Sequence, residues 1–139
     1  MSADVPSPEL AEASRFVAAS GFVVAGFSGE RVTGHVDLGP DQHTPWGVVH
    51  GGVYCAVVES AASIGASLAV ADRGQFAVGV NNSTDFLRPV TAGRLDVVAE
   101  PVQQGRTLQL WQVLLTRAED GKLVARGQVR LQNVPLPQG

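Results

Sequence analysis

The sequence has almost no sulfur chemistry to offer: its 139 residues include one cysteine and one methionine. A lone thiol, Cys55, cannot close an intramolecular disulfide, so the fold must rest on packing, and a reducing, cytoplasmic setting is expected. Cys55 sits in an apolar run and reads as a small core side chain. Basic charge is also scarce, with 10 Lys and Arg against 13 Asp and Glu and a formal charge of -3. No broad positive field is available to a polyanion, which excludes nucleic acid as the main partner, and any anionic ligand must be gripped locally. The three histidines, His35, His43 and His50, show no zinc spacing with Cys55 or the acids, so no metal is expected. No uninterrupted membrane-length apolar run is present, because residues 53 to 71 contain Glu59, three serines and a glycine. The opening "MSADVPSPEL" has acids and prolines where a signal peptide needs a basic start and an apolar run, so export is not expected. Repeats and low-complexity segments are lacking too.

What is there is a globular composition, 45% apolar and 17% charged, at the length of one domain spanning residues 1–139. In an N-terminal extension, residues 1–20, "SPELAEASRFVAAS" predicts a short helix with Ser7 as cap, Pro8 at its first position and Gly21 beyond its end. Two strands follow, "GFVVAGFS" and "RVTGHVDL", the second alternating Val32, Gly34, Val36 and Leu38 with Arg31, Thr33, His35 and Asp37. A loop leads into a long helix from about His50 to Ala71. Four more strands, "QFAVGVNNSTDFL", "RLDVVAEPV", "TLQLWQVLLTR" and "KLVARGQVRLQ", then predict a meander whose last turn holds an Asp-Gly pair. The pattern is α+β: about six antiparallel strands forming a curved sheet, filled by one long helix. One helix cannot cover both faces of such a sheet, so a second copy of the chain is expected to complete it.

The helix "GGVYCAVVESAASIGASLAV" poses the functional question. With Glu59 at zero and 100° per residue, Val53, Val57, Ala61, Ile64 and Leu68 fall between roughly 120° and 200° and predict the core stripe. The Glu59 side carries Gly52, Cys55, Ala56, Ala62, Ser63 and Ala66, small residues that let a second helix, a sheet or a ligand approach closely. A carboxylate in a partly dry place needs a partner, a proton or a purpose. Either an arginine pairs with Glu59, or Glu59 acts on a ligand. At the helix start, Gly51 and Gly52 form either a plain turn or an oxyanion hole, since first-turn N–H groups lack intrahelical acceptors and glycine admits a close oxygen. Eight residues separate Gly51 from Glu59, about 12 Å at ~1.5 Å per residue. If both act on one carbonyl carbon, they must come from two different subunits.

"HGGVYCAVVESAAS", with "VGVNNSTDFLRPVTAGRL" and "QGRTLQLW", resembles the hotdog-fold acyl-CoA thioesterases of the phenylacetate-pathway (PaaI-like) type, nearest the branch of the Arthrobacter 4-hydroxybenzoyl-CoA thioesterase. The resemblance covers about residues 20 to 132. It implies a hotdog fold, an acyl-CoA substrate with no separate cofactor, and a homodimer, commonly paired into a homotetramer, with active sites between subunits. By position, it implies that Glu59 is the catalytic carboxylate, acting as nucleophile or as general base on water. Gly51 would polarise the thioester carbonyl through its N–H, with His50 preceding it. Ser63 stands where a threonine orients the nucleophile or water. Arg88, Arg106 and Thr107 fall where the CoA nucleotide is held, Arg106 replacing a serine there, and Gly52 and Asn81 join the substrate-binding set. Six residues before His50 the family usually has Asn or Gln, whereas this chain has Thr44, so Thr44 substitutes, or the loop shifts to bring Gln42 in, or the assistance at the thioester is weaker.

Bland roles remain open for each group: helix packing for Ser63, solvated strand-end charge for Arg88 and Arg106, helix capping or packing for His50. Trp46 either walls the acyl pocket or packs loop to core. No Ser-His-Asp arrangement is readable, which disfavours a triad. Two other functions fit the same fold: an acyl-CoA hydratase or dehydratase, and a non-catalytic acyl-CoA-binding regulator.

Overall fold

The computed structural model describes residues 14–137. A short helix, α1 (Arg15–Ser20), is followed by β1 (Phe22–Phe27) and β2 (Val32–Leu38), then the long α2 (Gly51–Val70). Four strands complete the chain: β3 (Gln75–Phe86), β4 (Gly93–Gln104), β5 (Leu108–Arg117) and β6 (Leu123–Pro135). Ser14 caps α1, and Gly21 ends it at φ 81°. The expected cap Ser7 and Pro8 lie outside the described residues. Gly121, at φ 72°, turns the Asp-Gly hairpin between β5 and β6.

All six strands form one antiparallel sheet in the order β1-β2-β4-β5-β6-β3. The expected four-strand meander is therefore corrected. β4, β5 and β6 are sequential neighbours, but β3 pairs with β6 along its whole length, from Gln75 opposite Pro135 to Phe86 opposite Ala125. The chain from β3 to β4 crosses the end of the sheet, tied by Leu87 N–H to Val124 O and by the buried Val90, whose carbonyl accepts from Val49 N–H. Placing β3 at the edge leaves a 12-residue strand with one unpaired side.

The sheet curls round α2. By length and apolarity the segment Gly51–Arg73 could cross a bilayer, yet in the structure it is the filling of a sheet. Its buried face is Tyr54, Val57, Val58, Ala61, Ala62, Gly65, Ala66 and Val70, rotated by about a quarter turn from the expected stripe. Val53 and Ile64 are only half-buried against the core, and Leu68 is half-buried as well. The reason is volume: the strands supply Trp111, Leu95, Leu115 and Leu131, all fully buried, so the helix must present small residues to them. Trp111 lies so close over Gly65 that a Cβ there would collide with its ring.

A buried polar chain fastens the helix to the sheet. Gln109 Nε2 donates to Ala66 O at 2.9 Å and to Asn133 Oδ1 at 2.8 Å, and Trp111 Nε1 donates to Gln109 Oε1 at 2.8 Å. Asn133 Nδ2 in turn donates to the carbonyls of Gly105 and Arg106, which fixes the β4–β5 turn.

Candidate active site

His50 is extended at φ -68°, ψ 131° and caps α2 with its own side chain, Nδ1 accepting from Gly52 N–H at 2.8 Å. Nδ1 is therefore the bare nitrogen, and a neutral His50 carries its proton on the exposed Nε2 side. Val53 N–H donates to His50 O. Of the first-turn donors only Gly51 N–H is left without an acceptor among the described residues. This corrects the paired reading of the glycines: Gly52 N–H belongs to the cap, and Gly51 N–H alone is free. Gly51 is also sterically required, because a Cβ there would run into the Phe86 ring.

Gly51 opens onto a cleft of about 250 Å³ lined by Val48, Val49, Tyr54, Phe86, Leu87 and Arg88, with Pro89 beside them. Tyr54 is 3% exposed, and its hydroxyl has no hydrogen-bond partner among the described residues. Burial pushes the Tyr54 phenol up, against a weaker opposing pull from Arg117, so it stays a neutral donor. Trp46 does not line this cleft. Its side chain is 86% exposed on a tight loop, which corrects both expected roles within one protomer, pocket wall and loop-to-core packing.

Two turns along α2, Glu59 is half-buried and forms no ion pair among the described residues. The arginine partner allowed by the sequence is not supplied by the chain's own sheet. Instead Asn82 Nδ2 donates to Glu59 Oε1 at 3.0 Å and to Cys55 O at 3.1 Å, while Thr84 Oγ1 donates to Asn82 Oδ1 at 2.7 Å. On its other side Oε2 rests against Gly79, where a Cβ would overlap it. What approaches the small-residue side of α2 is thus the chain's own strand β3.

Asn82, not Asn81, meets the carboxylate. A bulge between Gly79 and Asn81 sets Val80 and Asn81 together opposite Arg130, so the inward positions run Ala77, Gly79, then Asn82 and Thr84. Asn81 is exposed on the other face, and its candidacy within this chain is corrected. The signal that could have located Asn82 is the Gly-Val-Asn-Asn run, since glycine within a strand often marks a bulge.

The remaining candidates divide between the two ends of the molecule. Ser63 is half-buried one turn after Glu59, with its hydroxyl unbonded among the described residues. Thr44 Oγ1 accepts from Trp46 N–H at 3.2 Å, which leaves its O–H free to donate. Gln42 is turned elsewhere, its Oε1 accepting from Gly39 N–H at 3.0 Å and its backbone carbonyl accepting from His50 N–H. Arg88 lines the Gly51 cleft and donates from Nε to Leu123 O. Arg106 and Thr107, both exposed, sit in the β4–β5 turn held by Asn133. β5 spans from that turn to the Arg88 end, ten residues or about 30 Å. One protomer therefore does not bring Arg88 and Arg106 together. Among the described residues no three His, Cys, Asp or Glu side chains gather as a metal cluster.

The thioesterase superfamily profile matches residues 47–124, the stretch that carries Gly51, Glu59, Asn82 and Arg88. The chain belongs to the thioesterase superfamily. Like its relatives, this thioesterase is a thioester hydrolase with the hotdog fold. It is 48% identical over 101 residues to a Mycobacterium tuberculosis protein provisionally named an esterase, covering 71% of each chain. The solved structure of that protein superposes with a TM-score of 0.84 at 41% identity, covering 88% of this thioesterase and 98% of the other chain. The 1,4-dihydroxy-2-naphthoyl-CoA thioesterase 2 of Arabidopsis thaliana is 38% identical over 101 residues, 71% of this chain and 62% of its own length. A thioesterase of Haemophilus influenzae superposes with a TM-score of 0.84 at 28% identity, covering 96% and 94% of the two chains.

Proposed function

We propose that the protein hydrolyses an acyl-CoA, with an aromatic acyl group preferred, to the free acid and CoA, and that each site is shared by two protomers. The observation that carries this reading is a carboxylate, Glu59, held by a neutral amide and packed against a strand backbone, with no cation paired to it among the described residues. Such a group is oriented without a counter-ion and can be presented to a water or a substrate. In this reading Glu59 draws a proton from water, whose oxygen bonds to the thioester carbon. The oxyanion that forms is met by Gly51 N–H, a donor at a helix tip where the dipole favours negative charge. Collapse breaks the C–S bond, and the CoA thiolate leaves and takes up a proton. Direct attack of the carboxylate on the thioester carbon is the second route open to the same group. Ser63 and Thr44 supply hydroxyls toward the water and the carbonyl.

Because Gly51 and Glu59 lie about 12 Å apart on one helix, the donor and the acid acting on one carbon come from different protomers. Arg88 travels with the Gly51 of one protomer, and Arg106 with Thr107 comes from the other. The unpaired side of β3, with Val78 41% and Val80 53% exposed, offers the edge along which two copies associate. A PaaI-like branch, a tetramer of such dimers and a cytoplasmic setting belong to the same reading, and the naphthoyl-CoA relative supports the aryl preference.

A panel of aryl-, arylacetyl- and aliphatic-CoA thioesters, followed by a thiol reagent, tests the activity. Turnover is expected with the aryl members highest; ultraviolet loss of an enoyl thioester without free thiol would favour the hydratase instead. On the best substrate, Arg88→Ala and Arg106→Ala are each expected to raise KM by about tenfold with a smaller change in kcat, since nucleotide contacts are remote from the reacting carbon. A fall in kcat at constant KM would remove these arginines from nucleotide binding.

A further inference from the structure

We propose that Asn82 and Thr84 form a positioning pair that holds the Glu59 carboxylate in its working orientation. The proposal rests on the reading of Glu59 as the group that acts on the thioester.

The orientation of the Asn82 amide follows from its neighbours. Cys55 O is a carbonyl and can only accept, so the Nδ2 side of Asn82 must face α2. Oδ1 then faces Thr84, whose hydroxyl donates to it. With both ends settled, Nδ2 presents a hydrogen to Glu59 Oε1, which must accept. Asn82 thus grips α2 at two points one turn apart, a backbone carbonyl and the carboxylate, and cannot rotate about one without losing the other. A cation in the same place would hold the carboxylate but neutralise it; an amide orients it without adding charge.

The strand is shaped to allow this. Without the bulge at Val80 and Asn81, Asn82 would face away from the helix; with it, Gly79 and Asn82 both face Glu59. Across the sheet, Gly127 lies opposite Thr84, and a Cβ there would come 2.7 Å from Thr84 Oγ1 and 2.6 Å from Val58 Cγ1. The missing side chain leaves the hydroxyl its space.

The test is steady-state hydrolysis of an acyl-CoA by the intact protein and by Glu59→Gln, Asn82→Ala, Thr84→Val and Thr84→Ser, with native mass and melting temperature measured for each. Asn82→Ala is expected to lower kcat by tenfold to a hundredfold, about the worth of a hydrogen bond to a charged group, with KM within about twofold. Thr84→Val, which keeps the shape and deletes the hydroxyl, is expected to lower kcat by about threefold to tenfold, and Thr84→Ser to restore it. If Asn82→Ala does not fold, the Thr84→Val and Thr84→Ser comparison decides alone. Wild-type kcat in Thr84→Val, or a rise in KM at unchanged kcat, would overturn the pair while an inactive Glu59→Gln left the reading of Glu59 standing. An active Glu59→Gln would instead sink that reading itself.

Discussion

Replacement of Glu59 by glutamine is expected to reduce CoA release by about a thousandfold or more, the range lost when an essential acid–base group is removed. Glutamine is the right replacement because it keeps the volume that fills the space against Gly79, and its side-chain oxygen can still accept from Asn82. Alanine would leave a gap and invite the strand to move. With folding and assembly preserved, the loss reports chemistry: glutamine cannot take a proton from water at neutral pH. Turnover of Glu59→Gln within about tenfold of the parent would remove the carboxylate from its role. The same variant tests whether the site is shared. Gly51→Val drives a side chain into the Phe86 ring and is expected to disable the helix tip. If the two inactive variants exchange subunits freely, about half of the dimers are mixed, and each mixed dimer has one doubly damaged site and one intact site. Recovery of about a quarter of wild-type activity on mixing is then expected. No recovery, with exchange shown by mass, would place acid and donor in the same chain.

The parts of this site that the sequence made legible were those written in local pattern. Alternation in β2 and β6, the helix from His50, the glycine pair before it and the isolated acid within it all depend on near neighbours. The placement of β3 was not legible, since whether it joins β4 or β6 is decided by a long crossing connection and by how the sheet closes over the helix. The core face of α2 was misjudged for a related reason. The angular stripe held at Val57 and Ala61 but also took in Val53, Ile64 and Leu68, whereas Trp111 and the strand leucines demanded Ala62, Gly65 and Ala66. Asn82 escaped because period-two reasoning across residues 79–82 fails at a bulge, and the bulge exists through backbone pairing with Arg130. In each case the missing information was a tertiary partner.

Gly79→Ala is expected to be nearly as damaging as loss of the acid, lowering kcat by about a hundredfold, because displacement of a reacting group by 1 Å costs about that much. The added methyl would occupy the position of Glu59 Oε2, and neither neighbour can yield easily. Strand β3 is hydrogen-bonded to β6 on both sides of Gly79, and Glu59 is tethered to Asn82. Overpacking should also cost about 1–3 kcal/mol of stability, read from chemical denaturation. A double-mutant cycle with Glu59→Ala separates steric displacement of the acid from general damage to the strand. If the methyl acts only by displacing the carboxylate, it finds room once the carboxylate is gone, and Gly79→Ala/Glu59→Ala should be no less stable and no less active than Glu59→Ala alone. Additive losses would mean that Gly79 serves the strand for its own sake. Activity of Gly79→Ala within twofold of wild type would mean that Glu59 works from a position it does not occupy in this protomer.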